Sequence, residues 1–358
     1  MKPSILLIYT GGTIGMMMDP DTKALRAFDF SKLLIHIPEI KQLDCEIDTY
    51  SFQQPIDSSD MNIEEWRKLG DVIYKNYDDY QGFVVLHGSD TMSYTGSALS
   101  FMFENLSKPI ILTGSQLPIG DLRTDAKENL ITSLQLAIEQ ENDKPLVQEV
   151  CIYFEYQLYR ANRTAKMNAE HFEAFNSPNY PPLAISGVHL NIDKNLLWKG
   201  RVEDPAFAKA EQKTAPFTKT NKINYRPKLV DQVVLLKLFP GITQAVVRAI
   251  CEIKELKGII LETYGSGNAP TQPWFVKILK EALDNDIRIV NVTQCMGGAV
   301  VMGKYETSVQ LKKIGIVSGK DITTEAALAK MMYLLQHTDT LESFRSYFET
   351  SLRGEMTN

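Results

Sequence analysis

Ser4–Gly15 reads SILLIYTGGTIG, and its first half decides the fold class. Ser4–Thr10 is β-branched or aliphatic almost throughout and does not alternate with polar residues. A continuous apolar run of this length marks a strand covered on both faces, as in a parallel sheet with helices above and below. Gly11 and Gly12 then permit a sharp turn and a close backbone approach. Outward from this segment the same signal recurs. Gly82–His87 (GFVVLH) and Pro109–Thr113 (PIILT) read as strands, and Glu149–Gln157 (EVCIYFEYQ) as a further one. Helical patterns lie between them. Thr91–Leu106 carries Met92, Leu99, Met102 and Phe103 on one side, and Thr124–Glu139 runs from a capping Thr124 through Leu130, Ile131, Leu134 and Ile138. A second block repeats the alternation. Its strand candidates are Gln232–Phe239, Gly258–Leu261 and Ile287–Val292; its helix candidates are Ile242–Ile253, Pro273–Asn285 and Thr323–Gln336. Strands alternating with helices predict an α/β protein.

Between the blocks the composition changes. Asn195–Lys228 has few aliphatics, three prolines, and eight basic against three acidic residues. A docking patch and a solvated interdomain connector both fit that description, and connectors are commonly polar and charged. The expected organisation is an N-terminal domain over residues 1–194, a linker over 195–228 and a C-terminal domain over 229–358. The length of 358 residues agrees with two domains. With 44% apolar and 23% charged residues the chain is an ordinary globular protein, which excludes disordered, collagenous and disulfide-scaffold classes. A net charge of −6 gives no electrostatic footprint for nucleic acid. Cys45, Cys151, Cys251 and Cys295 form no CxxC pair, and the five histidines show no HExxH spacing, so no metal site is expected. No apolar run reaches the roughly 18 residues of a membrane span. The N-terminal apolar run is short and ends in Gly-Gly, unlike a signal peptide. A cytoplasmic protein with reduced thiols is expected.

Four segments could carry chemistry. TGGTIG at Thr10–Gly15 follows the first strand, where open α/β sheets bind ligands. It meets neither GxGxxG nor GxxxxGK[ST], so it is either a plain turn or a loop that presents the Thr13 hydroxyl. A threonine hydroxyl is a weak nucleophile and needs a base. HGSDT at His87–Thr91 repeats the arrangement after the second strand, and Ser89 and Asp90 are equally good helix caps. DSSDM at Asp57–Met61 offers donors at Ser58 and Ser59 and acceptors at Asp57 and Asp60, or a cap for a helix through Trp66. Finally, Lys166 in YRANRTAK is a solvated lysine unless burial near Asp90 makes it a proton shuttle.

TGGTIGM (Thr10–Met16), DSSDM (Asp57–Met61), HGSDTM (His87–Met92), TGSQ (Thr113–Gln116), NRTAK (Asn162–Lys166), YGSGNAP (Tyr264–Pro270) and TQCMGG (Thr293–Gly298) occur in this order over nearly the whole chain. Together they resemble the bacterial-type L-asparaginases, most nearly the cytoplasmic type I branch. The resemblance implies two three-layer α/β/α domains, a larger N-terminal mixed sheet and a smaller C-terminal flavodoxin-like parallel sheet. It implies hydrolysis of L-asparagine without a cofactor or metal. Thr13 would attack the side-chain amide carbon, ammonia would leave, and water would release aspartate from the acyl-enzyme. Ser89, Asp90 and Lys166 would relay protons, and backbone N–H groups at Ser89 and near Ser115 would hold the oxyanion. Asp57, Ser58, Ser59 and Asp90 would bind the α-amino and α-carboxylate groups, with Ser115 beside them. Asn268 would complete the site from a neighbouring subunit of a dimer or tetramer. A glutaminase-leaning amidohydrolase, an amidotransferase subunit, a non-catalytic amino-acid-binding regulator and a nucleotide-binding module are the alternatives; retention of both Thr13 and Lys166 favours an enzyme.

Three positions depart from the family pattern. Ser89 replaces a threonine and lacks the methyl that restricts χ1, which predicts a less preorganised relay. Lys23–Ala24–Leu25–Arg26 holds no tyrosine where many members place a partner for the nucleophile. Glu262 precedes Thr263 and Tyr264 where some relatives have an arginine serving a regulatory site.

Overall fold

The computed structural model describes residues 2–18, 25–27, 37–199, 222–303 and 306–357. They divide into two compact units: residues up to 199 together with 222–227, and residues from 228 on. Most of the expected linker, residues 200–221, lies outside the described residues, as do Lys23 and Ala24.

The first unit is built on one eight-stranded sheet. Its strands are β1 (Ser4–Gly11), β2 (Glu46–Ile56), β3 (Gly82–Leu86), β4 (Ile110–Thr113), β5 (Val150–Phe154), β6 (Gln157–Arg160), β7 (Ala184–Ser186) and β8 (Leu190–Ile192). They lie in the order β8-β7-β6-β5-β4-β3-β1-β2. From β2 to β5 neighbours are parallel, and from β5 to β8 they are antiparallel. β1 lies between β3 and the edge strand β2, and its Ile5, Leu7 and Ile8 are wholly inaccessible. Ile5, Leu7, Val84, Leu86 and Ile111 face one side and form a core with Leu130 and Leu134 of helix Ala126–Ile138. Helix Met92–Met102 covers the other face, where Gly96 lets it approach Ile152 and Ala161 closely.

Two expectations change here. Glu149–Gln157 is not a single strand: the chain reverses at Glu155 and Tyr156, with φ of 44° and 67°, and β5 pairs with β6 as a hairpin. The helix expected to reach Leu106 stops at Met102, because Phe103–Glu104 pairs with Asn224–Tyr225. Tyr225, from the stretch expected to be linker, stacks against Phe103 and Tyr74 at centroid distances of 4.8 and 5.0 Å.

The second unit has four parallel strands in chain order: β9 (Val233–Lys237), β10 (Gly258–Thr263), β11 (Arg288–Thr293) and β12 (Val317–Ser318). Helices Gln244–Cys251, Pro273–Asp284 and Glu306–Ile314 connect them. Val247, Phe275, Ile278, Leu279 and Leu311 from these helices form one core with Leu236, Ile259, Leu261 and Ile289. Helix Thr324–His337 follows β12 and packs on β9 and β10. From it, Lys330 Nζ reaches Glu355 Oε1 at 2.5 Å and the carbonyls of Phe348 and Thr350 at 2.8 and 2.7 Å, all at zero exposure of both charged side chains. The Lys330 ammonium and the N–H groups of Leu352 and Arg353 hold the Glu355 carboxyl below its ordinary range, against the opposing effect of burial.

Candidate active site

Four strand ends of the first unit meet backbone to backbone, and glycine makes this possible. Gly11 has φ of 140° and Gly12 of 91°. A side chain at Gly11 would overlap the Ile56 backbone at the end of β2, and one at Gly12 would overlap His87 and Gly88 after β3. A side chain at Gly114, after β4, would overlap the His87 carbonyl, and one at Gly88 would overlap Ser58. The loops that carry Thr13, Ser58, Ser89 and Ser115 are therefore stacked at one edge of the sheet, beyond the carboxyl ends of parallel strands.

Thr13 opens a short 3₁₀ turn, Thr13–Gly15, and is half-buried. Ser89 and Asp90 lie on a second such turn, Ser89–Thr91. Neither caps the following helix, whose N-cap position is Thr91 and has no side-chain cap bond. Instead Lys166 Nζ donates to Ser89 Oγ at 2.9 Å and to Asp90 Oδ1 at 2.6 Å. Lys166 is only 17% exposed in its side chain, so it is not the solvated lysine that composition alone permits. It reaches this point from a ribbon, Ala165–Lys166 against Phe175–Asn176, that follows the turn Ala161–Arg163.

Asp57 Oδ1 accepts from the N–H and the hydroxyl of Ser59, at 2.9 and 2.8 Å, and these bonds hold the carboxyl below the usual carboxylate range. Asp57 does not cap the helix through Trp66. Asn62 does, accepting from Glu64 and Glu65 N–H at 3.0 and 3.2 Å. Ser58 is buried, and its carbonyl accepts from the Thr91 hydroxyl at 2.7 Å, tying this loop to the Ser89 turn.

Ser115 is buried and donates its hydroxyl to the Leu117 carbonyl at 2.6 Å. The next two N–H groups, of Gln116 and Leu117, are taken by the Asp125 carboxylate at 2.9 and 3.1 Å. The Gln116 side chain also enters the site: Ser89 Oγ donates to Gln116 Oε1 at 3.5 Å. Sequence reasoning passes over Gln116, because a glutamine in a turn has no chemistry of its own; its place in TGSQ was the available signal.

His87 is fully buried, and its polar contacts run in one direction. Trp66 Nε1 donates to Thr95 Oγ1 at 2.9 Å, Thr95 donates to His87 Nε2 at 2.9 Å, and His87 Nδ1 donates to the Gly88 carbonyl at 2.7 Å. Burial pushes the imidazole down to about 4, so it is neutral here.

Asn268 belongs to the second unit, where its N–H and carbonyl bond Tyr264 at 2.8 and 2.9 Å. Glu262 is buried in the same unit, accepts from Thr324 at 2.6 Å and pairs with Lys237 at 3.2 Å. Among the described residues no group of three or more His, Cys, Asp or Glu side chains is placed to hold a metal ion. Among them, too, no helix is long and apolar enough to cross a membrane.

Comparison with known proteins agrees in both units. The family description "Asparaginase, N-terminal" matches residues 4–198, and "Glutaminase/Asparaginase C-terminal domain" matches residues 232–348. The chain is 39% identical to L-asparaginase 1 of Escherichia coli (strain K12), over 99% of this chain and 98% of that one. It is also 39% identical to the 60 kDa lysophospholipase of Mus musculus, over 99% of this chain and 62% of that protein. The crystal structure of L-asparaginase I from Vibrio cholerae superposes with a TM-score of 0.86 at 37% identity, covering 100% of both chains.

Proposed function

The chain belongs to the asparaginase family and hydrolyses L-asparagine, and on that premise we propose that it does so through a covalent intermediate on Thr13. The Thr13 Oγ bonds to the side-chain amide carbon of the substrate. Its proton passes through the Ser89–Lys166 relay to the amide nitrogen, the C–N bond breaks, and ammonia leaves. Water then attacks the ester, releases L-aspartate and restores the Thr13 hydroxyl. Asp90 holds the Lys166 ammonium in reach of Ser89. Asp57, Ser58, Ser59 and Asp90 recognise the two charges of a free amino acid. The backbone N–H group of Ser89 and one near Ser115 stabilise the oxyanion. Asn268 serves the site of a second copy of the chain in a dimer or tetramer, and the enzyme works in the cytoplasm.

The observation that carries this reading is the Lys166 ammonium at 2.9 Å from Ser89 Oγ and 2.6 Å from Asp90 Oδ1, both on the one loop stacked against the loop that bears Thr13. The test is ammonia release from L-asparagine and L-glutamine by the parent and by Thr13→Ala, with a lysophospholipid as a third substrate. The parent should act on L-asparagine, and Thr13→Ala should lose at least about a thousandfold. An active Thr13→Ala sinks the nucleophile assignment, and release of fatty acid in place of ammonia sinks the substrate assignment.

A further inference from the structure

We infer that Gln116 is a positioning residue: its side-chain amide biases the Ser89 hydroxyl toward one rotamer, the task that a methyl group performs in a threonine. The inference rests on the reading of Ser89 as a member of the relay.

The argument starts from donors and acceptors. An ammonium has three donors and no acceptor, so the Lys166–Ser89 contact uses Ser89 Oγ as acceptor. The hydroxyl proton must then point elsewhere, and the group it meets is Gln116 Oε1. At 3.5 Å that bond is loose, so the question is what keeps the amide oxygen turned toward Ser89. The other end of the amide answers it. Gln116 Nε2 donates to the His171 carbonyl at 2.9 Å and to the Ala169 carbonyl at 3.2 Å. Carbonyl oxygens only accept, so the NH₂ group must face them and the oxygen must face Ser89. Both supports are themselves fixed. The Gln116 N–H is held by Asp125, and the 169–171 turn is held by Asn168 Oδ1, which accepts from Glu170 and His171 N–H at 2.9 and 3.1 Å.

A serine side chain has three staggered χ1 wells and no second branch to choose among them. Lys166 on one side and Gln116 on the other are the two contacts that choose among those wells. Beyond Gln116 lies an open cavity of about 700 Å³ lined by Arg123, Glu155, His171 and Phe172. A truncated residue 116 would admit water to Ser89, so an apolar side chain of similar length is the better probe.

The experiment compares the parent, Gln116→Met, Ser89→Thr and the double variant, by crystallography and by steady-state kinetics on L-asparagine. In the parent background, Gln116→Met should spread Ser89 over more than one χ1 well. It should lower kcat by between about tenfold and a hundredfold with little change in KM, the scale of a misplaced catalytic group. In the Ser89→Thr background the same change should cost far less, because the methyl supplies the constraint. Equal losses in both backgrounds would reduce Gln116 to loop support and overturn the inference, as would an unchanged single Ser89 rotamer in Gln116→Met. Gln116→Asn, one methylene too short to span both ends, replaces the Met variant if that one does not fold. Absence of ammonia release by the parent would strike the functional reading alone, since the Ser89 rotamer reads the bias without turnover.

Discussion

His87 shows how a residue with no chemical role can govern the site. Its imidazole is neutral, donates from Nδ1 to its neighbour Gly88, and is fed through Thr95 from the Trp66 indole. Gly88 is the hinge between β3 and the Ser89 turn, and its nitrogen lies under Gly12. Protonation would turn the Nε2 acceptor into a donor facing the Thr95 hydroxyl, and would place a charge where no water reaches. The folded value of about 4 lies below the ordinary 6.5, so the unfolded chain binds more protons between these limits. Stability should therefore fall as pH drops from 6.5 toward 4, by about 3 kcal/mol in total. Urea unfolding between pH 5 and 6.5, above the range of most carboxylates, reads this contribution. His87→Gln should flatten the slope; an unaltered slope would show that the histidine is not its source.

At the scale of elements, the β5–β6 hairpin turns on two L-residues in the left-handed region, Glu155 and Tyr156, where glycine or asparagine is the common choice. Tyr156 is half-exposed, so its side chain gives little back for the strain. Tyr156→Gly should raise stability by about 1 kcal/mol, seen as a higher Tm with unchanged activity. The same hairpin marks a limit of sequence reading. EVCIYFEYQ has the composition of one strand, and nothing between Phe154 and Gln157 announces a turn. β2 was missed for a different reason: it is an edge strand, and nearly all of Glu46–Ile56 remains exposed, so hydrophobic patterning has little to detect. β1, β3 and β4 are legible because burial on both faces leaves room only for apolar residues. The helix ending at Met102 depends on a partner more than a hundred positions away, Asn224–Tyr225, which local propensity cannot register. Thr13, Ser89, Asp90 and Lys166 were legible through their motifs, whereas the Gln116 amide gains meaning only from carbonyls at 169 and 171.

At the scale of the molecule, each unit buries its own hydrophobic core. The second unit also contains an ion pair with no exposed surface, Lys330–Glu355, which pins residues 348–356 to helix Thr324–His337. Removing one charge strands the other. Glu355→Gln should cost about 3–5 kcal/mol, and Lys330→Met combined with Glu355→Gln should recover much of it. Hydrogen exchange gives the regional readout: Glu355→Gln should accelerate exchange across residues 232–357 and leave 4–198 as in the parent. Equal acceleration in both regions would mean that the two cores do not unfold separately. The glycine contacts of the first unit have a consequence for redesign. Because Gly11, Gly12 and Gly114 press against neighbouring backbones and Gly88 against the Ser58 side chain, no one of the four loops can be exchanged by itself. A graft must transplant them as a set, and a mutational library should hold the glycines constant. Variation at Thr13, Ser89 and Ser115 then explores new reactivity on a preserved frame, whereas variation at the glycines, or at the Ser58 side chain that Gly88 packs against, dismantles the frame on which any reactivity depends.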